Sequence, residues 1–206
     1  MESIEVLESI ESSIKKFDSL ELELEKKKYY FQTLFEIISH LSISQDLESL
    51  IKNIMGAVSG LFGIKQMLFL SIYLKKEFAS ISFSRGLNEE FRSKIEKELD
   101  NIEINKIEKE HDLIELEFLK TEKLKLTRIF KELNFKIFVP IDIDEELYCC
   151  ILLGEKLSRE RYLPEENGII AIISEIANLF IKNIKNIIKL KETTDVLNNK
   201  SILHLA

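Results

Sequence analysis

Helix breakers and cysteines are scarce in this sequence. Its 206 residues include two prolines, six glycines and two cysteines. The cysteines, Cys149 and Cys150, are adjacent, and neighbours on a strand point to opposite faces and rarely bridge each other. His40, His111 and His204 are scattered along the chain, so no Cys/His set has the spacing of a zinc site. The cysteines therefore indicate small buried residues in a reducing compartment.

A basic charge excess and a long apolar run are also missing. The formal net charge is -7, which argues against a nucleic-acid-binding protein because such proteins neutralise phosphates. The acidic N-terminus lacks a signal-peptide core, and no stretch approaches the ~20 uncharged apolar residues of a membrane span. We therefore expect a cytoplasmic protein that binds neither nucleic acid nor a membrane.

The first 42 residues predict a single helix with a narrow apolar seam. Its apolar residues alternate at spacings of three and four, and they are Leu7, Ile10, Ile14, Phe17, Leu24 and Phe31. Glu21 and Lys28 fill two positions of this heptad pattern with charge. So narrow a seam is typical of a helix that pairs with another helix. The alternative is a plain amphipathic helix that packs on its own domain.

The rest of the chain alternates between helical and strand patterns and predicts an α+β fold. Hydrophobic residues make up 45% of the chain and charged residues 32%, which provides a core beneath a charged surface. A helix capped by Ser44 or Asp46 and ended by Gly60 and Gly63 comes first. The further predicted elements are strands over 66–74 and 78–84, helical spacing at Phe91, Ile95 and Leu99, a short strand within 113–119, a short helix over 126–133, strands over 135–141 and 147–154, and a helix from Pro164. We expect a central antiparallel sheet with the terminal helices on one face and the charged segment 86–133 as a lid over the other.

Two stretches of the sequence resemble the GAF family of sensory domains. They are "LFEIISHLSISQDLESLIKNIMGAVSGLFGIKQMLFLSIY" and "FKIFVPIDIDEELYCCILLGEKLSRERYLPEENGIIAIISEIANLFIKN". The first is similar to the opening helix and strand of the family. The second is similar to its closing half, in which a strand ending in "VPI", an acidic turn, an apolar strand and a "YLPEE" helix start follow one another. The resemblance covers the chain from about Tyr30 to Leu190, and it implies the GAF fold and a role in small-molecule sensing.

The resemblance does not identify a ligand. The signature of cyclic-nucleotide-binding GAF domains in mammalian phosphodiesterases is not visible. The bilin-attaching cysteine of phytochromes has no counterpart either, because Cys149 and Cys150 lie in a predicted central strand.

Three segments are expected. They are an N-terminal coiled-coil-like helix over 1–42, a GAF-like sensory domain over 43–190 and a C-terminal signalling helix over 191–206. The tail "LNNKSILHLA" resembles the linker helix that precedes diguanylate cyclase catalytic domains. This resemblance implies that a longer parent protein carries an output domain beyond Ala206, and a natural C-terminus is the alternative.

Side-chain alternation along the strands predicts the ligand site. The serines of the segment 78–84 are expected on one face of their strand, and Phe69, Ser71 and Tyr73 on one face of theirs. These polar faces should meet the lid, and the uniformly apolar faces should pack on the terminal helices. Arginines at a strand end and at a helix start suit an anionic group, although they are equally compatible with an exposed surface. The candidate ligand-binding residues are Phe69, Ser71, Tyr73, Ser82, Ser84, Arg85, Thr127, Arg128 and Phe138.

These observations favour a regulatory module without catalytic residues, metal or required cofactor. Its expected ligand is a cyclic nucleotide, with cAMP ahead of cGMP, and this choice follows from the GAF resemblance and from the suspected cyclase output. The module is expected to form a homodimer through its terminal helices and to control a diguanylate cyclase. The competing hypotheses are a ligand-free dimerisation module, whose pocket is filled by its own Phe and Leu side chains, and a redox sensor that uses Cys149 or Cys150. The acidic turn "DIDEE" favours turn chemistry over a metal site.

Overall fold

The structure is a computed structural model that describes residues 2–44, 46–100, 109, 111–117 and 125–203. Side chains are described for 13–44, 46–100, 109, 111–117 and 128–195. The contacts of the chain form two compact units, residues 1–38 and residues 39–206. The helix α1 (Glu2–Ser42) accounts for the described part of the first unit, as the apolar seam predicts.

The second unit alternates helices and strands in the order that the sequence predicts. Its elements are α2 (Leu47–Phe62), β1 (Met67–Tyr73), a 3-10 turn (Leu74–Lys76), β2 (Phe78–Arg85), α3 (Glu89–Asp100), β3 (Ile114–Glu115), α4 (Lys125–Glu132), β4 (Ile137–Asp142), β5 (Leu147–Leu153) and α5 (Pro164–Leu203). Asp46 caps α2 by accepting a hydrogen bond from the Ser49 N–H at 2.7 Å. Gly63 ends α2 with φ 58°, a left-handed conformation that suits glycine, whereas Gly60 lies inside the helix.

The five strands form one open antiparallel sheet in the order β2-β1-β5-β4-β3. The predicted α+β class and antiparallel sheet are therefore confirmed. The strand β5 lies at the centre, which explains why "LYCCILL" is apolar throughout: all seven of its residues are buried. The register between β1 and β2 shifts after Phe69, because Phe69 pairs with Phe83 and Leu70 pairs with Ile81. This bulge leaves Ser82 as the additional residue of β2.

One face of the sheet packs against α3 and α4, and we call it the lid face. Leu68, Leu70 and Ile72 of β1 belong to this face, together with Phe138 of β4 and Tyr148, Cys150 and Leu152 of β5. They form one buried cluster with Ile95 and Leu99 of α3 and with Ile129, Phe130, Leu133 and Phe135 in and after α4. The described part of the lid is therefore joined to the sheet by apolar side chains.

The opposite face, which we call the helix face, carries α2 and α5. Phe69, Ile151 and Val139 lie side by side on it in β1, β5 and β4. Both helices contact the sheet and each buries one apolar side, Leu50, Ile51, Ile54, Met55 and Val58 in α2 and Ile170, Ile173, Ala177 and Ile181 in α5. Helices thus cover this face and the lid covers the other, as predicted.

The helix α5 is held at its start by a buried ion pair. Lys156 Nζ lies 2.9 Å from Glu166 Oε2, and both residues are buried. The same carboxylate accepts a hydrogen bond from the Leu163 N–H at 2.8 Å, just before the first turn of α5. A carboxylate at this position accepts a hydrogen bond from an otherwise free N–H group, and its negative charge interacts favourably with the positive end of the helix dipole.

By length and composition alone, α5 is able to cross a membrane. Its segment Pro164–Asp195 has a mean hydropathy of 1.3 in the most apolar part. The sequence did not predict such a candidate span, because the segment contains no fully uncharged run. Core helices have the same length and composition, and one side of α5 is buried against the sheet. The pattern is therefore weak support for a membrane span.

The two strand faces are oriented opposite to the prediction. The apolar set Leu68, Leu70 and Ile72 meets the lid, whereas Phe69, Ser71 and Tyr73 lie on the helix face. The prediction that one face carries all the serines of β2 is also wrong: Ser84 pairs with Leu68 of the lid face, whereas Ser80 pairs with Ser71. The bulge at Ser82 causes this change, because one additional residue reverses the alternation of side chains.

Candidate functional site

The predicted site residues of the helix face are engaged with the protein itself. The hydroxyls of Ser71 and Ser82 share a hydrogen bond of 2.6 Å between β1 and β2, and Cys149 Sγ approaches Ser71 Oγ at 3.9 Å. Arg85 donates from Nη1 to the Ser59 hydroxyl of α2 at 2.7 Å. Phe69 is fully buried. These groups join strands and helices together, and Tyr73 alone of this set lines an open groove.

The other predicted site residues lie on the lid side. Phe138 is buried in the apolar cluster. Ser84 is half-buried on the same face of the sheet, in register with Leu68. Arg128 is exposed on α4 and donates from Nε to Glu132 one turn later at 3.0 Å. Thr127 belongs to α4, and its side chain lies outside the described residues. Of the nine predicted residues, the eight with described side chains therefore divide between the two sides of the sheet and do not come together in one site.

A groove opens on the helix face where β1 ends, β5 begins and α5 crosses. Its volume is about 360 Å³, within the range of small-molecule sites. Its apolar lining consists of Leu47, Tyr73, Leu147, Ile181, Ile184 and Ile188, and its charged lining of Lys75, Lys76, Lys185, Lys189, Glu146 and Glu192. We call it the lysine groove, and it is the candidate site in the described part of the chain.

Glu146 is the point where the lysines of the groove converge. Its carboxylate oxygens lie 2.8 Å from Lys75 Nζ, 3.0 Å from Lys185 Nζ and 3.2 Å from Lys189 Nζ. The hydrogen bonds from Lys75, Lys185 and Lys189 hold the pKa of the Glu146 carboxyl far below its usual value of 4.5. Glu146 is therefore ionised at neutral pH, and it attracts three ammonium groups to one place.

The acidic turn between β4 and β5 positions Glu146. Asp144 Oδ1 accepts hydrogen bonds from the N–H groups of Glu146 at 2.8 Å and Leu147 at 3.0 Å, an Asx turn. Asp144 also binds Lys185 Nζ at 2.6 Å. Its burial raises the pKa of the Asp144 carboxyl, but hydrogen bonds from Lys185 and the turn outweigh burial and lower the pKa below its usual value. The turn therefore joins the sheet to α5 through charge.

Tyr73 forms the aromatic wall of the groove. Its ring stacks on Phe78 with centroids 6.1 Å apart, and Lys76 Nζ lies 5.8 Å from the ring centroid. Burial and the neighbouring Cys149 thiol raise the pKa of the Tyr73 hydroxyl, although Lys185 opposes them. Tyr73 is thus a neutral, partly buried phenol that offers an apolar surface and one hydroxyl.

The same acidic turn also binds Lys109 of the lid segment. Lys109 Nζ lies 2.7 Å from Asp142 Oδ1 and 3.1 Å from the Asp144 carbonyl oxygen. His111 Nδ1 lies 3.8 Å from Asp142 Oδ2. Among the described residues, no three His, Cys, Asp or Glu side chains converge as a metal site. The carboxylates of the turn are instead partners of lysines.

The two cysteines are buried in the central strand on opposite faces. Burial raises the pKa of the Cys149 thiol to about 12 and that of the Cys150 thiol further. A thiol with so high a pKa carries almost no thiolate at neutral pH, and thiolate is the reactive form. The raised pKa values of the two buried thiols therefore argue against the redox-sensor hypothesis.

Sequence reasoning missed the lysine groove, although two signals point to it. Lys185 and Lys189 are four residues apart, so they lie on one side of α5. Lys75 lies in the turn that follows β1, and antiparallel pairing places that turn beside the start of β5, where Glu146 lies. The strand order was required to bring these segments together, and the sequence pattern alone did not provide it.

Comparisons with known proteins define the fold. No family model and no curated protein matches this chain. Among solved structures, a GAF domain from Pseudomonas syringae pv. tomato, of a protein assigned as a sensor histidine kinase, is 10% identical with a TM-score of 0.56; the match covers 83% of this chain and 97% of that one. The GAF domain of a phosphoenolpyruvate-protein phosphotransferase from Coxiella burnetii is 13% identical with a TM-score of 0.54, over 76% of this chain and 95% of that one.

This chain has the GAF fold. A chromophore-binding domain of a bacteriophytochrome from R. palustris is also similar, at 9% identity and a TM-score of 0.53, over 78% of this chain and 62% of that one. Identities this low show a shared fold and no shared ligand. The fold that the sequence resemblance implies is thus confirmed, and the function of this GAF fold has to be argued from its own surfaces.

Proposed function

We propose that this chain is a regulatory sensory module of a signalling protein, and that it acts as a homodimer through its terminal helices. One observation carries the proposal: the apolar seam of α1 is exposed. Ile14 is 53% exposed, Phe17 and Leu24 69% each, and Phe31 70%. Large apolar side chains in a row along one helix are typical of a surface that another helix covers.

The helix α5 supports the proposal independently. Beyond its buried side it exposes Leu179, Ile187, Ile188 and Leu190. A second copy of the chain presents the same two surfaces, and two-fold symmetry allows each surface to pair with its own copy. Pairing of the terminal helices would let a change in the GAF fold reach whatever follows α5.

The ligand and the output belong to the same proposal. We keep cAMP, bound between the sheet and the lid, as the first candidate, because the resemblance of the sequence to the GAF family implies small-molecule sensing. The output is a diguanylate cyclase, and the module is cytoplasmic. The linker resemblance that favours the cyclase lies in residues 197–206, whose side chains are outside the described ones.

The apolar cluster of the lid face favours the ligand-free alternative. Phe130, Phe135, Phe138 and Tyr148 fill the space between α4 and the sheet, and a nucleotide would have to displace some of them. In the ligand-free alternative the lid is a permanent part of the core, and the helices alone carry the function.

Sedimentation velocity of the 206-residue chain tests dimerisation. Phe17→Glu should weaken the dimer at least about tenfold, because a charge replaces a side chain worth roughly 1.5–3 kcal/mol when buried, once in each copy. Leu157→Glu is the matched control, since Leu157 is 71% exposed in the loop before α5. A monomeric wild-type chain at all concentrations would refute the proposal.

A thermal-shift titration separates the two ligand hypotheses. Saturation with cAMP at about 100 times its dissociation constant should stabilise the folded chain by about 2.7 kcal/mol. We expect a smaller shift for cGMP. No shift with either nucleotide, together with an intact dimer, would establish the ligand-free module.

A further inference from the structure

We propose that the lysine groove binds a small organic anion with an apolar body, and that Lys75, Lys185 and Lys189 hold its acid group beside the Glu146 carboxylate. This site lies on the helix face, opposite the lid where the ligand of the proposed function is expected. It therefore extends the proposed function and does not depend on it.

The lysines of the groove select the sign of the ligand. Four lysines and two glutamates line it, a local net charge of +2 in a chain whose formal net charge is -7. Asp144 pairs with Lys185, and Glu145 acts on Lys75 from the same turn, so these two carboxylates offset that excess. The preference for an anion therefore rests on the ammonium donors that line the groove and not on a net positive field.

The lysines are held in position before a ligand arrives. Glu146 and Asp144 fix Lys185 with contacts of 3.0 and 2.6 Å, and Glu146 fixes Lys75 and Lys189. An incoming acid group that joins them therefore costs less side-chain entropy than one that must order free lysines. Each ammonium has three donors, so Lys75 and Lys189 keep donors available beyond their bond to Glu146.

The remaining lining selects an apolar body. Leu147, Ile181 and Ile184 are buried residues whose side chains line the groove, and Tyr73 adds an aromatic wall. A volume of about 360 Å³ accommodates a molecule of one or two rings. An inorganic ion would leave this apolar lining in contact with water and gain nothing from it.

A matched pair of probes, one anionic and one neutral, tests whether the groove prefers a negatively charged ligand. We would titrate the uniformly labelled 206-residue chain with 1-naphthalenesulfonate and with neutral 1-naphthalenemethanol, and follow backbone amides by two-dimensional NMR. The sulfonate should bind more tightly and shift the amides of Lys75, Lys76, Glu146 and Leu147. Equal affinities, or shifts confined to the lid residues of α3 and α4, would overturn the proposal.

Three substitutions test the contacts. Lys189→Gln should weaken sulfonate binding roughly threefold, as expected for one partly exposed charge, and Lys191→Gln on the same helix is the control that should leave it unchanged. Lys75→Gln should weaken binding by a similar factor, because it removes a second partly exposed ammonium group that lines the groove. Lys189 is 55% exposed, so its substitution does not threaten folding. Unaltered affinity in both Lys189→Gln and Lys75→Gln would refute the site, whatever the outcome for the dimer.

Discussion

The two faces of the sheet are built from alternate residues of the same strands, yet they differ in chemistry. The lid face is apolar across β1, β5 and β4 and packs on apolar residues of α3 and α4. The helix face mixes apolar residues with the hydroxyls of Ser71 and Ser82, and it ends in the lysine groove. The packing of the lid face therefore depends on the fit of apolar side chains. The packing of the helix face depends on that fit and also on specific hydrogen bonds and ion pairs.

This difference shows where a change of state is possible. An apolar cluster that fills its space has one good arrangement, because a void or an overpacked side chain destabilises it. Ion pairs at a partly exposed groove contribute little free energy each, so a further charged group can join them at little cost. In this GAF fold the helix face is thus the more adaptable surface, and α5 is the element that would report a change.

The largest expected effect compares the two cysteines, which lie on opposite faces of β5. A pKa of about 12 instead of the usual 9.0 lowers the thiolate fraction of Cys149 about a thousandfold. Native protein at pH 8 should therefore react with a disulfide reagent far more slowly than the chain in urea, where two thiols should appear. Cys149→Ala and Cys150→Ala variants assign any residual reaction to one face. Fast reaction of either thiol in the native protein would restore the redox-sensor hypothesis.

The next effect compares neighbouring residues on the two faces. Leu70→Ala on the lid face should lower the free energy of unfolding by about 4 kcal/mol, since it leaves a cavity in a filled cluster. Ser71→Ala on the helix face should cost about 1 kcal/mol, because it removes the partner of the Ser82 hydroxyl. Urea unfolding measures both values. A cost below about 1 kcal/mol for Leu70→Ala would show that the lid face is open enough for a ligand.

The elements of the fold were predictable from the sequence because each rests on a local signal. The Asp46 cap, the glycine that ends α2, the alternation in β1 and the apolar run of β5 all act within a few residues. The orientation of the two faces was not predictable in this way. The orientation depends on which helices pack against which face. The sequence alternation of Leu70 and Ser71 would be the same if Ser71 faced the lid instead of Leu70. The bulge at Ser82 is also invisible in the pattern, since β2 alternates in sequence without interruption.

The lysine groove was harder still to predict, because its residues come from four separate segments. Tyr73 was predicted as a ligand residue from its strand face, and it does line a groove, but on the side opposite the lid. Glu146 was interpreted as part of an ordinary acidic turn, and the Asx turn at Asp144 supports that interpretation. Only the strand order brings this turn to Lys75 and to α5.

A smaller effect compares the buried ion pair at the start of α5 with an exposed one. Lys156→Met should lower the free energy of unfolding by about 2 kcal/mol, because it leaves the Glu166 carboxylate buried without its cation. The loss stays below the 3–5 kcal/mol typical of breaking a buried pair, since Glu166 retains the Leu163 N–H. Lys52→Met breaks the exposed pair with Glu48 and should cost less than about 0.5 kcal/mol. Equal losses would mean that the Lys156–Glu166 pair is hydrated.

The smallest effect is the pH dependence that the acidic turn gives to the helix face. The folded pKa values of Asp144 and Glu146 lie below their usual values, so the unfolded chain takes up their protons first as the pH falls. Their contribution to stability is therefore complete above about pH 5 and is lost progressively below about pH 4. Chemical unfolding measured at intervals from about pH 5 down to about pH 3 should show a shallower loss for Glu146→Gln than for the wild type. Glu160→Gln, in the loop before α5, provides the control and should follow the wild-type curve. If Glu146→Gln follows it too, the three lysines do not stabilise the folded state through Glu146, and the helix face would depend on packing alone, as the lid face does.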